Sequence, residues 1–337
     1  MSYSIEQILQ AKEPGDLFSG NPDTLKKEYR KILKFCHTDI NRDLHAKEAT
    51  DKVIKLFKIA EEMIQSKIWK RKNSIKFACK DGRSIEIQFL VEHQFELGKM
   101  YIANSVVIYL IKSFYRNFYL NYKKVVEGFS YANNKMEIEI SKYLPVIFDQ
   151  FETKEGELGI VIKKTSDLIL LKDIKDYYKG SLDSRHVAWI ISSLMNIVCY
   201  IDYLKMSHNA ISFNNCFISP KFHSSSILGG WWYSVPIGKP LIGMSNTVYS
   251  IAPPIVKTNK KGNIMTDLEC IRNIGKELLG EKRLDIAPKP MVEWLMKAHS
   301  GSAIQDYENW QNTLTKSYGK RKFIILELTS EDIYGNK

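Results

Sequence analysis

The side chains that could do chemistry gather in one stretch, and that stretch lacks the groups most chemistry needs. HNAISFNNCFISPKFHSSSILGGWW, residues 208–232, holds His208, Asn215, Cys216 and His223 but no carboxylate. Losing a general base costs roughly 10²–10⁴-fold in rate, and a divalent cation finds no acidic oxygen here. His208, Cys216 and His223 do not follow the spacing of a zinc site, so no structural metal is expected. GKELLGEK, residues 275–282, has the glycines of a phosphate loop but no Gly-Lys-Ser/Thr, and it sits in a helical pattern. Cys36, Cys79, Cys199, Cys216 and Cys270 are odd in number, far apart and without a Cys-x-x-Cys pair. That argues against a zinc finger or a disulfide framework and for reduced, mostly buried thiols in a cytosol-like compartment. A second polar group, His37-Thr38-Asp39, lies between two helical patterns near the start of the chain.

The elements that must position these groups form an α+β chain. Its 337 residues are 44% hydrophobic and 26% charged, which suits a globular protein of about two or three domains. Net charge is +11, from 49 basic and 38 acidic residues. Such a surface favours anionic partners, nucleic acid among them. The N-terminal MSYSIEQILQAKEPGD lacks the basic start and apolar run of a signal peptide. Residues 187–204 are the most membrane-like, but they carry Ser192, Ser193, Asn196 and Asp202 and read as a buried core helix.

Asn21-Pro22 opens a helix whose Leu25, Tyr29, Ile32, Leu33 and Cys36 fall on one face. Lys26, Lys27, Arg30, Lys31 and Lys34 fall on the other. A second amphipathic helix follows the His37-Thr38-Asp39 loop through Val53, Ile54, Phe57, Ala60 and Ile64. KIWKRKN, residues 67–73, reads as a basic junction. SIKFAC, SIEIQFLV and MYIANSVVIYLI are strand-like, with a hairpin turn at Asp81-Gly82. A helical pattern over residues 123–144 is interrupted near Gly128, and YLPVIFDQFE and ELGIVIKK are two further strands. Two helices then precede loop 208–215, and a Pro- and Gly-rich segment, 235–262, follows it. DLECIRNIGKELLG is a helix opened by Asp267 and stopped at Gly280. Trp294, Tyr307 and Trp310 lie on closing helices, and FIILEL, residues 323–328, is a late strand or helix end.

Residues 1–68 resemble a J-domain, the DnaJ-type module. EYRKILKFCHTDIN is similar to that family's basic helix and His-Pro-Asp loop, and FKIAEEMI to its closing helix. The resemblance implies that His37, Thr38, Asp39, Lys26, Lys27, Arg30, Lys31 and Lys34 engage a DnaK-type heat-shock chaperone and stimulate its ATPase. Thr38 replaces the family's Pro, which fixes the backbone, so a less pre-organised loop is expected.

Residues 69–337 resemble a protein kinase, with 69–165 as the small β-rich lobe and 166–337 as the larger helical lobe. Loop 208–215 is similar to the family's His-Arg-Asp-Leu-Lys-x-x-Asn, with His208 and Asn215 at the matching separation. Ala210 stands at the catalytic Asp position and Ser212 at the Lys. Where the family holds magnesium with Asp-Phe-Gly, this chain has Leu228, Gly229, Gly230. Tyr109 is nearest the position of the strand Lys, and Glu139 or Glu137 that of its helix partner. Only Gly98 stands in FELGKMYIAN for the glycine-rich loop. Ala252-Pro253-Pro254 resembles Ala-Pro-Glu, and Asp267 matches the Asp that ties down the catalytic-loop backbone.

These resemblances imply a cytoplasmic co-chaperone or adaptor: the J-like hairpin recruits the chaperone, and an inactive kinase-like body, a pseudokinase, holds an unknown client or scaffold. No catalytic residue, metal or cofactor is expected, and no membrane. Two alternatives remain open. One is an atypical kinase or ATP-binding sensor with displaced residues. The other is a nucleic-acid-associated protein, suggested by the net charge alone.

Overall fold

The computed structural model describes residues 4–66, 73–319 and 324–335. Residues 67–72 of the basic junction and Phe323 of FIILEL lie outside the described residues. By internal contacts the chain divides into two units, residues 1–75 with 86–88, and 76–85 with 89–337. The mixture of helices and several small sheets makes it an α+β protein. Among the described residues no helix is long and apolar enough to cross a membrane.

The first unit holds α1 (Ile5–Gln10), α2 (Pro22–Cys36) and α3 (Ala46–Gln65). Ser4 and Gln7 form a capping box on α1, and the Asn21 side chain caps α2 ahead of Pro22. Apolar residues at helical spacing then close a core: Leu25, Ile32 and Cys36 of α2 with Ala49, Val53, Leu56 and Ala60 of α3. Tyr29 stacks on Phe57 at 3.9 Å, and Thr50 Oγ1 donates to the Cys36 carbonyl at 3.0 Å. The end of α2 therefore meets the start of α3, and the middle meets the middle, as antiparallel helices require.

β1 (Ser74–Ala78) and β2 (Ser84–Gln88) pair through the expected Asp81-Gly82 turn, where Gly82 adopts a φ of +85°. The second unit is built on a five-stranded antiparallel sheet. Its strands are β3 (Val91–Phe95), β4 (Gly98–Ile102), β5 (Val106–Ile111), β6 (Ile147–Glu152) and β7 (Leu158–Lys163), in the order β3-β4-β5-β7-β6. Gly98 is needed by the strand pair itself, because a Cβ there would fall 2.0 Å from the Leu110 carbonyl oxygen.

Between β5 and β6 the expected interruption near Gly128 separates two helices, α4 (Arg116–Glu127) and α5 (Asn134–Ile140), and the first begins earlier than the expected residue 123. Aromatic residues with modest helix propensity make the first turns of α4, and burial of Tyr122, Val125 and Val126 outweighs that propensity. Gly128 ends α4, and the Asn133 side chain starts α5 afresh.

β8 (Ile169–Leu170), α6 (Leu171–Tyr177) and α7 (Ser184–Tyr203) follow. α7 is the apolar stretch singled out above, and twelve of its residues are buried in the protein core. β9 (Met206–Ser207) pairs with β12 (Val235–Pro236), and β10 (Cys216–Ser219) lies between β11 (Ser224–Ile227) and β8. Then come α8 (Asn246–Ile251), α9 (Pro254–Asn259), α10 (Ile264–Leu284), α11 (Lys289–Met296), α12 (Ala303–Tyr318) and α13 (Ser330–Tyr334). The expected stop at Gly280 is a break inside the α10 range, with φ 62° and ψ 168°, and a second short helical segment follows it. A side chain at Gly280 would lie 2.1 Å from the Gly180 carbonyl oxygen. Residues 324–329 carry no regular structure, though Leu326 and Leu328 are buried.

Candidate functional site

Loop 208–215 runs between β9 and β10, so two short strand pairs fix its ends. Its backbone is held from the first turn of α10. Asp267, fully buried, accepts the His208 N–H at 2.7 Å on Oδ2 and the Asn209 N–H at 2.9 Å on Oδ1. Burial pushes its carboxyl up to about 7, against the pull of those two donors. The Asn209 side chain donates to the Ser207 and Tyr233 carbonyls, both at 3.2 Å, and closes the loop onto the segment before β12.

His208 is buried beneath the loop. Its Nε2 lies 3.2 Å from the Gly229 carbonyl, and its ring meets Trp231 edge-on at 4.5 Å. Burial pushes the imidazole down to about 3, so it is neutral near pH 7. A neutral ring whose Nε2–H serves a carbonyl is a fixed prop, and its Nδ1 is buried without a hydrogen-bond partner. Asn215 likewise turns inward. Its Nδ2 donates to the Ala210 carbonyl at 2.8 Å and to Ser212 Oγ at 3.2 Å, while its backbone carbonyl receives the N–H groups of Leu228 and Gly229.

Gly229 and Gly230 pass through this cluster without room for a side chain. A Cβ on Gly229 would lie 2.6 Å from both Asn215 Oδ1 and Tyr109 Oη. One on Gly230, whose φ is +85°, would lie 2.5 Å from His208 Cε1 and 2.9 Å from the Ala210 Cβ. Tyr109 projects from β5 into the space against Trp232 at 5.1 Å, Phe95 at 5.7 Å and Tyr122 at 6.5 Å between ring centroids. Tyr122 Oη donates to the Leu228 carbonyl at 2.6 Å, and Asn121 Nδ2 donates to the Trp232 and Ser234 carbonyls. The helix residue that meets Tyr109 is thus Tyr122 of α4. Glu139 and Glu137, expected there, are exposed on α5.

The arrangement brings His208, Ala210, Asn215, Gly229, Tyr109 and Asp267 into one buried cluster. It offers no accessible base: Cys216 is pushed up to about 12 by burial, and the one carboxylate is spent on two backbone N–H groups. Its capacity is positional. Sequence reasoning missed Asn121 and Tyr122, whose signal was their place in the aromatic run RNFYLNY. Trp232 was visible in the Trp231-Trp232 pair.

In the first unit, His37 caps the C-terminus of α2 with its N–H on the Leu33 carbonyl at 2.9 Å. The His37 carbonyl accepts the N–H groups of Ile40 at 3.0 Å and Asn41 at 2.8 Å, so the turn is closed without a proline. The Asp39 N–H lies 3.3 Å from His37 Nδ1, and its carboxylate 3.5 Å from the same nitrogen. The Asp39 side chain is 83% exposed and that of His37 44%. Thr38, Lys26, Lys27, Arg30, Lys31 and Lys34 are exposed.

No protein-family profile matches the chain, and no curated protein sequence matches it.

Proposed function

We propose that the chain is a J-domain-type co-chaperone or adaptor, in which the first unit recruits a DnaK-type chaperone and the second is a kinase-like body without phosphoryl-transfer chemistry. The observation that carries the reading is the closed turn His37-Thr38-Asp39. It presents a histidine and a carboxylate to solvent at the end of a helix with five exposed cations, Lys26, Lys27, Arg30, Lys31 and Lys34. A small basic surface of that kind steers toward an acidic partner. The reading of the second unit is supported by the sheet order, by the loop held through Asp267, and by Ala210 where the resemblance would require a base. The rings of Tyr109, Tyr122 and Trp232 pack together beside Gly229, the position where the resemblance would require the metal-holding Asp-Phe-Gly, and this supports the reading. On this reading the second unit holds a client or scaffold by surface contact, in a cytosol-like compartment.

The test is single-turnover ATP hydrolysis by a purified DnaK-type chaperone with the full chain added. Wild type accelerates hydrolysis and His37→Gln does not. A wild-type chain without effect on the rate overturns the proposal.

A further inference from the structure

The turn that carries His37 and Asp39 also exposes apolar side chains. Leu44 is 97% exposed, Ile40 61% and Phe35 38%. Single exposed apolar residues are ordinary on protein surfaces. These three are confined to one short segment whose shape is fixed by its own hydrogen bonds. The Asn41 side chain donates to the Phe35 carbonyl at 3.1 Å and accepts the Asp43 N–H at 3.0 Å, and Asp43 Oδ1 accepts the His45 N–H at 2.9 Å. Both ends of the segment are tied: Phe35 lies in the last turn of α2, and the Asp43 carbonyl receives the Ala46 N–H at the start of α3. These bonds fix the backbone from which the three side chains project.

The segment is continuous with the basic stripe. Lys27, Lys31 and Phe35 stand at successive i, i+4 positions of α2, and Lys34 stands three residues after Lys31, so the cations run directly into the apolar tip. Arg42 adds an exposed cation within the turn itself.

We infer that Phe35, Ile40 and Leu44 form an apolar docking tip that, together with the cations of α2, fits an acidic surface bearing a shallow apolar recess on the DnaK-type chaperone. The inference rests on the chaperone reading above and adds a second determinant to it. His37 and Asp39 act on the chaperone's turnover, and the tip supplies affinity. Ionic attraction brings the stripe to the acidic surface, and burial of Ile40 and Leu44 holds it there, so the complex keeps part of its affinity in added salt.

The test measures binding of the full chain to the same chaperone, with ATPase stimulation followed in parallel. Ile40→Ser with Leu44→Ser should weaken binding by between about tenfold and a hundredfold, with the maximal stimulation at saturation little changed. Leu44→Glu, which sets a like charge against the acidic surface, should weaken it further than Leu44→Ser. His37→Gln should abolish stimulation while binding persists. Ile40 and Leu44 belong to neither buried core, so thermal unfolding of their variants should match wild type. If wild type binds and stimulates, and the double variant does so with the same affinity, the docking tip is refuted while the chaperone reading stands. If wild type neither binds nor stimulates, both fall.

Discussion

Replacing Asp267 should disconnect loop 208–215 from the fold, at a cost that the geometry fixes. The carboxylate accepts two backbone N–H groups, from His208 at 2.7 Å and Asn209 at 2.9 Å, in a fully buried setting. Asp267→Ala leaves both donors without a partner. A buried donor stripped of its acceptor costs about 1–3 kcal/mol, so the pair should cost about 2–6 kcal/mol, a large share of a typical stability of about 5–15 kcal/mol. Asp267→Asn keeps one acceptor oxygen and sheds the charge whose burial is unfavourable. It should lose about 1–3 kcal/mol, clearly less than the alanine variant. Urea unfolding followed by tryptophan fluorescence reports mainly on this unit, because five of the six tryptophans, Trp189, Trp231, Trp232, Trp294 and Trp310, lie in it. The midpoint should fall in the order wild type, Asn, Ala with the slope unchanged. A loss under about 1 kcal/mol for Asp267→Ala, or an asparagine variant weaker than the alanine one, would refute the claim that this side chain holds the loop.

Gly229→Ala should destabilise by about 1–3 kcal/mol through overpacking, since its Cβ meets Asn215 Oδ1 and Tyr109 Oη at 2.6 Å. Tyr109→Phe removes a buried hydroxyl that has no hydrogen-bond partner, so it should be close to neutral alone and should recover part of the loss in the double variant, read by thermal unfolding. The buried pair Arg272–Asp306, 2.6 Å apart, is supported by the Lys297 carbonyl and the Ser300 N–H. Asp306→Ala should cost about 3–5 kcal/mol, whereas Arg272→Met with Asp306→Leu should cost far less, and equal losses in urea unfolding would contradict this. Acid should reveal two opposed buried groups. His208, pushed down from 6.5 to about 3, contributes stability above pH 6.5 that is lost as pH falls toward 3. Asp267, pushed up from 3.8 to about 7, contributes stability below pH 3.8 that is lost as pH rises toward 7. Between pH 4 and 6.5 the melting temperature of Asp267→Asn should therefore fall more steeply on acidification than that of wild type, and that of His208→Gln less steeply; parallel curves would remove the assignment.

The sequence by itself determined α2 and α3, because their buried and exposed faces are written in a 3.6-residue period, as in α2 with Leu25, Ile32 and Cys36 inside and Lys27, Lys31 and Lys34 outside, whereas α1 was not read from it. What holds for α2 and α3 holds for the strands with β-branched runs and for the turn at Gly82, where backbone φ demands glycine. The tie from Asp267 was implied by the kinase resemblance, and the absence of a carboxylate in residues 208–232 was legible directly. Only the tertiary structure decided what takes up the space beside Asn215. Local pattern could not show that Tyr109 of β5, Tyr122 of α4 and Trp232 converge there, since they are distant in sequence and each reads as an ordinary apolar-face residue. Nor could it place the start of α4, where long-range burial outweighs local propensity, or show that the turn after α2 closes through the His37 carbonyl in the absence of a proline. Periodicity records which face of an element is buried, while the identity of what it is buried against depends on contacts between residues far apart in the chain.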